Sequence, residues 1–328
     1  MRLLVLGGTA FLSQEVAAAG VRRGHEVVCA CRGESGDVPE GARHVPCDRN
    51  EALPAELGDT VWDAVVDVAR LPSWVRGAVG GLRTRHWVFV STISVYADVA
   101  TTGGGPGTLP LLEPVESDED PSASPETYGA MKVACENIVR SADAPALVVR
   151  PGLIVGPGDP SGRFSYWPAR LAEGGPVLAP GSQDDPVQWI DVRDLADWIV
   201  AAARAKTRGT VDGIGPVHTW GQLLAELGDA VADPAAAPDL VWVPHAELVA
   251  ADLEPWSGPA SLPMWLPRPE YDGMMSHDPA PAESLGLMCR PLAETGRDTL
   301  RWLRSDPTAP RTGIGRDREA ALRRLLRG

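Results

Sequence analysis

Tyr128 and Lys132 stand four residues apart in Tyr128-Gly129-Ala130-Met131-Lys132. On a helix that spacing puts a phenol and an ammonium on one face. A nearby ammonium stabilises the phenolate and lowers the phenol pKa towards neutral pH. Such a phenol exchanges a proton with a carbonyl or alcohol oxygen, so Tyr128 is a candidate general acid–base. The pairing is selective: the 328-residue chain has 4 tyrosines and only two lysines, Lys132 and Lys206, against 28 arginines. A second source of hydroxyls is Val90-Ser91-Thr92-Ile93-Ser94, which closes the apolar run His86–Thr92. Ligands of open α/β sheets bind at the carboxyl ends of the strands. Thr92 or Ser91 can there hydrogen-bond the oxygen that Tyr128 serves.

Gly7-Gly8-Thr9 ends the first apolar run and opens a helical stretch. Such a turn lets backbone approach a pyrophosphate, and the helix N-terminus supplies N–H donors and a positive dipole. The G-x-G-x-x-G pattern is not met. The spacing G-x-x-G-x-x-G finds Gly7, Ala10 and Ser13. The next apolar run ends Cys29-Ala30-Cys31-Arg32-Gly33, with an arginine and no acid. A carboxylate there holds the ribose 2′-OH of NAD, whereas an arginine accommodates the 2′-phosphate of NADP. Arg32 therefore favours NADP(H), with NAD(H) as the other option. Asp48, after the third run, is a candidate acceptor for an adenine amine.

The elements that must position these groups alternate in kind. Arg2–Gly7, Glu26–Arg32, Ala42–Asp48, Ala64–Ala69, His86–Thr92 and Ala146–Gly152 are apolar runs of strand length. Several are nearly unbroken, as strands covered on both faces are. Helical patterns lie between most of them, clearest in Phe11–Arg23 and Glu126–Ser141. Repeated strand–helix units predict an α/β fold with a doubly wound parallel sheet of Rossmann type. Asp98–Pro125 breaks the rhythm as a long acidic loop rich in Gly and Pro. After Gly152 the texture changes, and eight of the 11 tryptophans lie from Trp167 onward. This reads as a smaller, less regular domain. Asp191–Ala205 reads as a helix returning to the first domain, and Arg316–Arg327 as a basic C-terminal helix.

Composition excludes several classes. Asp and Glu number 44 against 30 Lys and Arg, a net charge of −14, which disfavours a nucleic-acid binder. No apolar run reaches the roughly 20 residues that span a bilayer, and Met1–Leu12 suits a buried strand better than a signal peptide. The five scattered cysteines form no disulfide framework, so the cytoplasm is the default. The six histidines show no metal-ligand spacing, and no metal is expected.

Four stretches in order carry a family resemblance: LVLGGTAFLS, FVSTISVYAD, SPETYGAMKVACE and LVVRPGLIVGPGDP, with WIDVRDLADWIV as a fifth. The chain resembles an extended short-chain dehydrogenase/reductase of the NAD-dependent epimerase/dehydratase family over most of residues 1–304. The resemblance implies a Rossmann-type domain at 1–155 and 186–213. It implies a smaller C-terminal α/β substrate domain at 156–185 and 214–304, with 305–328 as a helical tail. By position it makes Tyr128 the acid–base, Thr92 the catalytic hydroxyl, and Lys132 the group that lowers the phenol pKa and holds the nicotinamide ribose. Cofactor binding falls to Gly7, Gly8, Thr9, Ala10, Phe11, Leu12, Arg32, Asp48, Ala69 and Lys132. Ser94, Arg163, Tyr166 and Trp167 are substrate-side candidates. A homodimer through the Tyr128–Lys132 helix is also implied.

Departures from the pattern are Ala10 and Ser13, which replace turn glycines. Many nucleotide-sugar members carry an Asn shortly after the sixth strand, where this chain reads Pro151-Gly152-Leu153-Ile154. The leading function is hydride transfer between NAD(P) and a ketone or secondary alcohol of a small molecule. A nucleotide-sugar epimerase or dehydratase with internally recycled NAD is the alternative. A non-catalytic dinucleotide sensor is the third reading, and the intact Thr–Tyr–Lys set argues against it.

Overall fold

A computed structural model of the chain describes residues 1–325. Two compact units are built from interleaved segments. The first comprises Met1–Gly152, Val192–Gly215 and His277–Met288, and the second Leu153–Asp191, Pro216–Ser276 and Cys289–Gly328. The return to the first unit thus starts at Val192, and His277–Met288 also joins it. The segment from 305 onward belongs to the second unit.

The first unit is a seven-stranded sheet. Its strands are β1 (Arg2–Leu6), β2 (Glu26–Cys31), β3 (Arg43–Pro46), β4 (Ala64–Asp67), β5 (Trp87–Val90), β6 (Ala146–Pro151) and β7 (Gly209–Gly213). They run parallel in the order β7-β6-β5-β4-β1-β2-β3. The core strands bury nearly every side chain, which explains their unbroken Val and Leu runs. Strand β1 pairs with β2 on one side (Val5 opposite Cys29) and β4 on the other (Val5 opposite Val66). The chain order reverses between β1 and β4, which makes that crevice the topological switch point.

Helices α1 (Phe11–Arg22), α2 (Pro72–Gly81), α3 (Pro125–Arg140) and α4 (Val192–Ala205) cover the sheet. Ser124 caps α3 by accepting from Thr127 N at 3.0 Å, and Pro125 fills the first turn, where its missing N–H costs nothing. The acidic segment between residues 98 and 124 is fastened down. Asp118 accepts from Ser73 N at 3.0 Å and Ser73 Oγ, while Arg76 meets Glu116 at 2.7 Å. Val115 N donates to Ala130 O at 3.1 Å.

The second unit packs an apolar core around Phe164, Trp167, Trp220 and Trp265. A parallel pair, Gly175–Pro180 with Pro238–Val243, and the helices Tyr166–Ala172, Trp220–Val231, Leu292–Ser305 and Arg316–Leu325 surround it. The tryptophan-rich texture of the sequence is therefore chiefly core. Leu326 and Arg327, expected in the last helix, lie outside the described residues.

Candidate active site in the first unit

The glycine turn follows β1. Gly7 and Gly8 take φ of 132° and 118°, which only glycine adopts without strain. A Cβ on Gly8 would stand 2.5 Å from Cys29 Sγ, so β2 also demands glycine there. Helix α1 then starts at Ala10 with no side chain capping its first N–H groups and no acid in its first turn. Those groups, around Ala10, Phe11 and Leu12, are left for an anion. Phe11 itself takes φ of 33°, a costly conformation for a bulky residue and one that concentrates at ligand sites. Ser13 lies buried under the turn, accepting from Gly8 N at 3.1 Å and donating to Ala10 O at 2.8 Å. Its hydroxyl ties the turn together from below. The residues at the switch point therefore fit a dinucleotide.

After the end of β2, Arg32 is exposed and, among the described residues, meets only Glu34, at 3.1 Å. Asp48 Oδ1 accepts from Asn50 N at 2.9 Å and so closes its own turn.

The catalytic candidates meet where β5 and α3 come together. Thr92 accepts from Ser94 N at 3.1 Å and holds the short helical turn Ile93–Val95. Its hydroxyl lies 3.2 Å from Ser94 Oγ and near enough to the Tyr128 phenol to favour the phenolate. Helix α3 comes this close because residue 129 is glycine: a Cβ there would lie 2.0 Å from Ser94 O. Gly129, adjacent to the phenol, was not singled out by sequence reading. Only the observed close approach reveals its role.

Tyr128 does not behave as the sequence led us to expect. Burial pushes its pKa up rather than down, opposed by the positive charge of Arg70 and the hydrogen bond with Thr92. Lys132 turns elsewhere. Its side chain is fully buried, and its ammonium donates to Ala69 O at 2.7 Å and to Val90 O, over the Phe89 ring at 4.3 Å. The positive charge that opposes the upward shift at Tyr128 is that of Arg70. Burial lowers the Lys132 pKa to about 8, against the pull of Asp67 and Glu136 and with a further push from Arg70. Ala69 is itself held by Asp67 Oδ1, at 2.9 Å from its N–H. Asp67 is clamped in turn by Arg49 at 2.6 and 2.9 Å. This buried pair, 18 residues apart in sequence, has no local signature.

The remaining candidates belong to the second unit. Trp167 is fully buried and donates its indole N–H to Pro263 O at 3.0 Å, which makes it a core residue rather than a pocket wall. Tyr166 packs edge-on against it at 5.1 Å, and burial raises its phenol pKa. Arg163 lies over the Trp256 ring at 4.5 Å, with Nε buried and unpaired. Among the described residues no group of His, Cys, Asp or Glu is arranged to hold a metal ion, and no helix is long and apolar enough to cross a membrane.

Residues 55–214 match the model of the NAD dependent epimerase/dehydratase family. That stretch holds Ala69, Thr92, Tyr128 and Lys132, and the glycine turn precedes it. The chain is 34% identical over 150 residues to the ceramide reductase of Caulobacter vibrioides, a stretch covering 44% of each protein. It is 24% identical over 293 residues to dTDP-6-deoxy-L-talose 4-dehydrogenase (NAD(P)(+)) of Kitasatospora kifunensis, covering 78% of this chain and 90% of that one. The UDP-glucuronic acid 4-epimerase of Bacillus cereus, solved in complex with NAD, superposes with a TM-score of 0.66 at 14% identity. That match covers 94% of this chain and all of the other, and shows a common fold.

Proposed function

We propose that this protein, whose residues 55–214 form a domain of the NAD dependent epimerase/dehydratase family, is an NADP(H)-dependent oxidoreductase acting on a ketone or secondary alcohol. The observation that carries the reading is the meeting of Thr92 and Tyr128 hydroxyls at the carboxyl end of β5, with buried Lys132 one helical turn on. The uncapped α1 N-terminus and the Gly7-Gly8 turn would hold the pyrophosphate, and Arg32 the 2′-phosphate. When bound, the nicotinamide supplies or accepts the hydride.

The chain's own groups handle the oxygen. Tyr128 Oη donates its proton to the carbonyl oxygen as negative charge builds there, and Thr92 Oγ1 steadies the same oxygen. The raised Tyr128 pKa suits it to hold that proton until it is needed. The Arg70 charge and Thr92 then favour the phenolate that remains. Lys132, a buried cation anchored on two carbonyls, fixes Ala69 and Val90, the ends of β4 and β5 that border the reacting centre.

The same corner would also serve an epimerase, and a UDP-glucuronic acid 4-epimerase solved in complex with NAD shares the fold. Net cofactor consumption separates the two. Incubated with NADPH and a panel of ketones, the protein consumes NADPH with at least one of them. Tyr128→Phe lowers that rate by about 10²–10⁴-fold. If no ketone is reduced while a nucleotide sugar is isomerised without net NADPH loss, the oxidoreductase reading falls.

A further inference from the structure

We infer that Arg70 is a further anion-binding residue of the dinucleotide crevice, where its guanidinium takes the cofactor pyrophosphate from the β4 side. The inference rests on the reading that this unit binds NADP(H), and it adds a residue that the motifs do not name.

Position comes first. Arg70 follows β4, and β4 and β1 border the switch point. A Cβ on Gly7 would lie 3.6 Å from Val68 Cγ2, so the segment leading to Arg70 packs on the glycine turn. Ala69 is fixed at both ends, its N–H on Asp67 and its carbonyl on Lys132, so the backbone entering Arg70 is fixed.

Charge is the second point. The chain carries 44 acids against 30 bases, and its exposed arginines commonly find a carboxylate, as Arg43, Arg76 and Arg85 do. Arg70 is exposed, yet makes no hydrogen bond or ion pair with any described residue. The carboxylate nearest in sequence, Asp67, is engaged by Arg49 and Ala69 N. Asp118, in the 98–124 segment, is engaged by Ser73 at the start of α2. Beside Arg70 lies a second cation, Lys132, whose proton Arg70 makes harder to hold. An incoming anion stabilises two cations whose charges repel each other.

The third point is the turn itself. Ser13 Oγ takes the Gly8 N–H, which removes one backbone donor from those a phosphate can use. A guanidinium from the other wall restores a donor and adds full charge.

The test is binding to the purified full chain, followed by nicotinamide fluorescence for NADPH and by calorimetry for adenosine 2′-monophosphate, which carries neither phosphate of the pyrophosphate. Arg70→Gln weakens NADPH by about 10–100-fold and leaves the monophosphate unchanged, and Arg70→Lys recovers part of the loss. Because Arg70 is exposed and unpaired, the thermal midpoint of each variant stays at the wild-type value. Unchanged NADPH affinity in Arg70→Gln overturns the inference and leaves the cofactor reading standing. Equal loss for both ligands also overturns it, because the effect then lies at the adenosine end. Wild-type protein that binds no NADPH removes the reading itself, and the inference with it.

Discussion

The two units treat buried cations differently. In the second, Arg170 is almost fully buried and closed by protein on every side. It donates to Glu319 Oε2 at 2.8 Å and to the carbonyls of Gly174 and Pro176, while Glu319 Oε1 takes Leu178 N at 2.7 Å. In the first, Lys132 is buried just as deeply, but its ammonium rests on two carbonyls, and Arg70, whose charge reaches it, has no hydrogen-bond or ion-pair partner among the described residues. The first unit is able to close ion pairs, since Arg49–Asp67 and Arg150–Glu136 lie within it. Burying an unpaired charge opposes folding, and here the open charge coincides with the residues that could do chemistry.

Breaking the closed pair gives the largest expected change in stability. Glu319→Ala leaves Arg170 buried and uncompensated and destabilises the fold by about 3–5 kcal/mol, read by denaturant unfolding. NADPH affinity of the folded variant stays unchanged, because the pair lies outside the unit that holds the site. Loss of affinity without loss of stability would show that the comparison is misdrawn.

The open cation gives the opposite result. In the folded chain the Lys132 pKa is about 8, below the ordinary value of 10.5. Between those values the unfolded chain holds the extra proton, so this group adds stability as pH rises from about 8 to 10.5. Lys132→Met lacks that term. The stability difference, wild type minus variant, therefore rises across the window by at most about 3 kcal/mol. A flat difference would mean that the ammonium is not suppressed.

Arg32→Ala has the smallest effect. It weakens NADPH by about tenfold and leaves NADH nearly unchanged, since the lost Arg32–Glu34 pair is exposed and only NADPH carries a 2′-phosphate. Equal changes for both nucleotides would remove the argument for NADP.

Much of this corner was legible in the sequence. Helical spacing placed Tyr128 and Lys132 together, and an apolar run ending in hydroxyls marked Thr92. The strands read as buried runs because both sheet faces are covered. What was hidden depends on direction and distance. The spacing could not show that Lys132 turns to Ala69 and Val90, or that burial lifts the Tyr128 pKa. Ser13 read only as a departure from the glycine pattern, because only the structure shows its hydroxyl lying beneath Gly8 and Ala10. Arg70 was one of 28 arginines, unmarked until its lack of a partner could be seen. The stretch His277–Met288 joins the first unit through His277 Nδ1 at 3.1 Å from Asp212 Oδ2, a contact spanning 65 residues that no local pattern announces.

The central claim is that the first unit binds a dinucleotide beside Thr92, Tyr128 and Lys132. Titration of the purified chain with NADPH and, separately, NADH, followed by nicotinamide fluorescence, tests it most directly. The account predicts saturable binding of both, with NADPH tighter. Failure of both nucleotides to bind would contradict it.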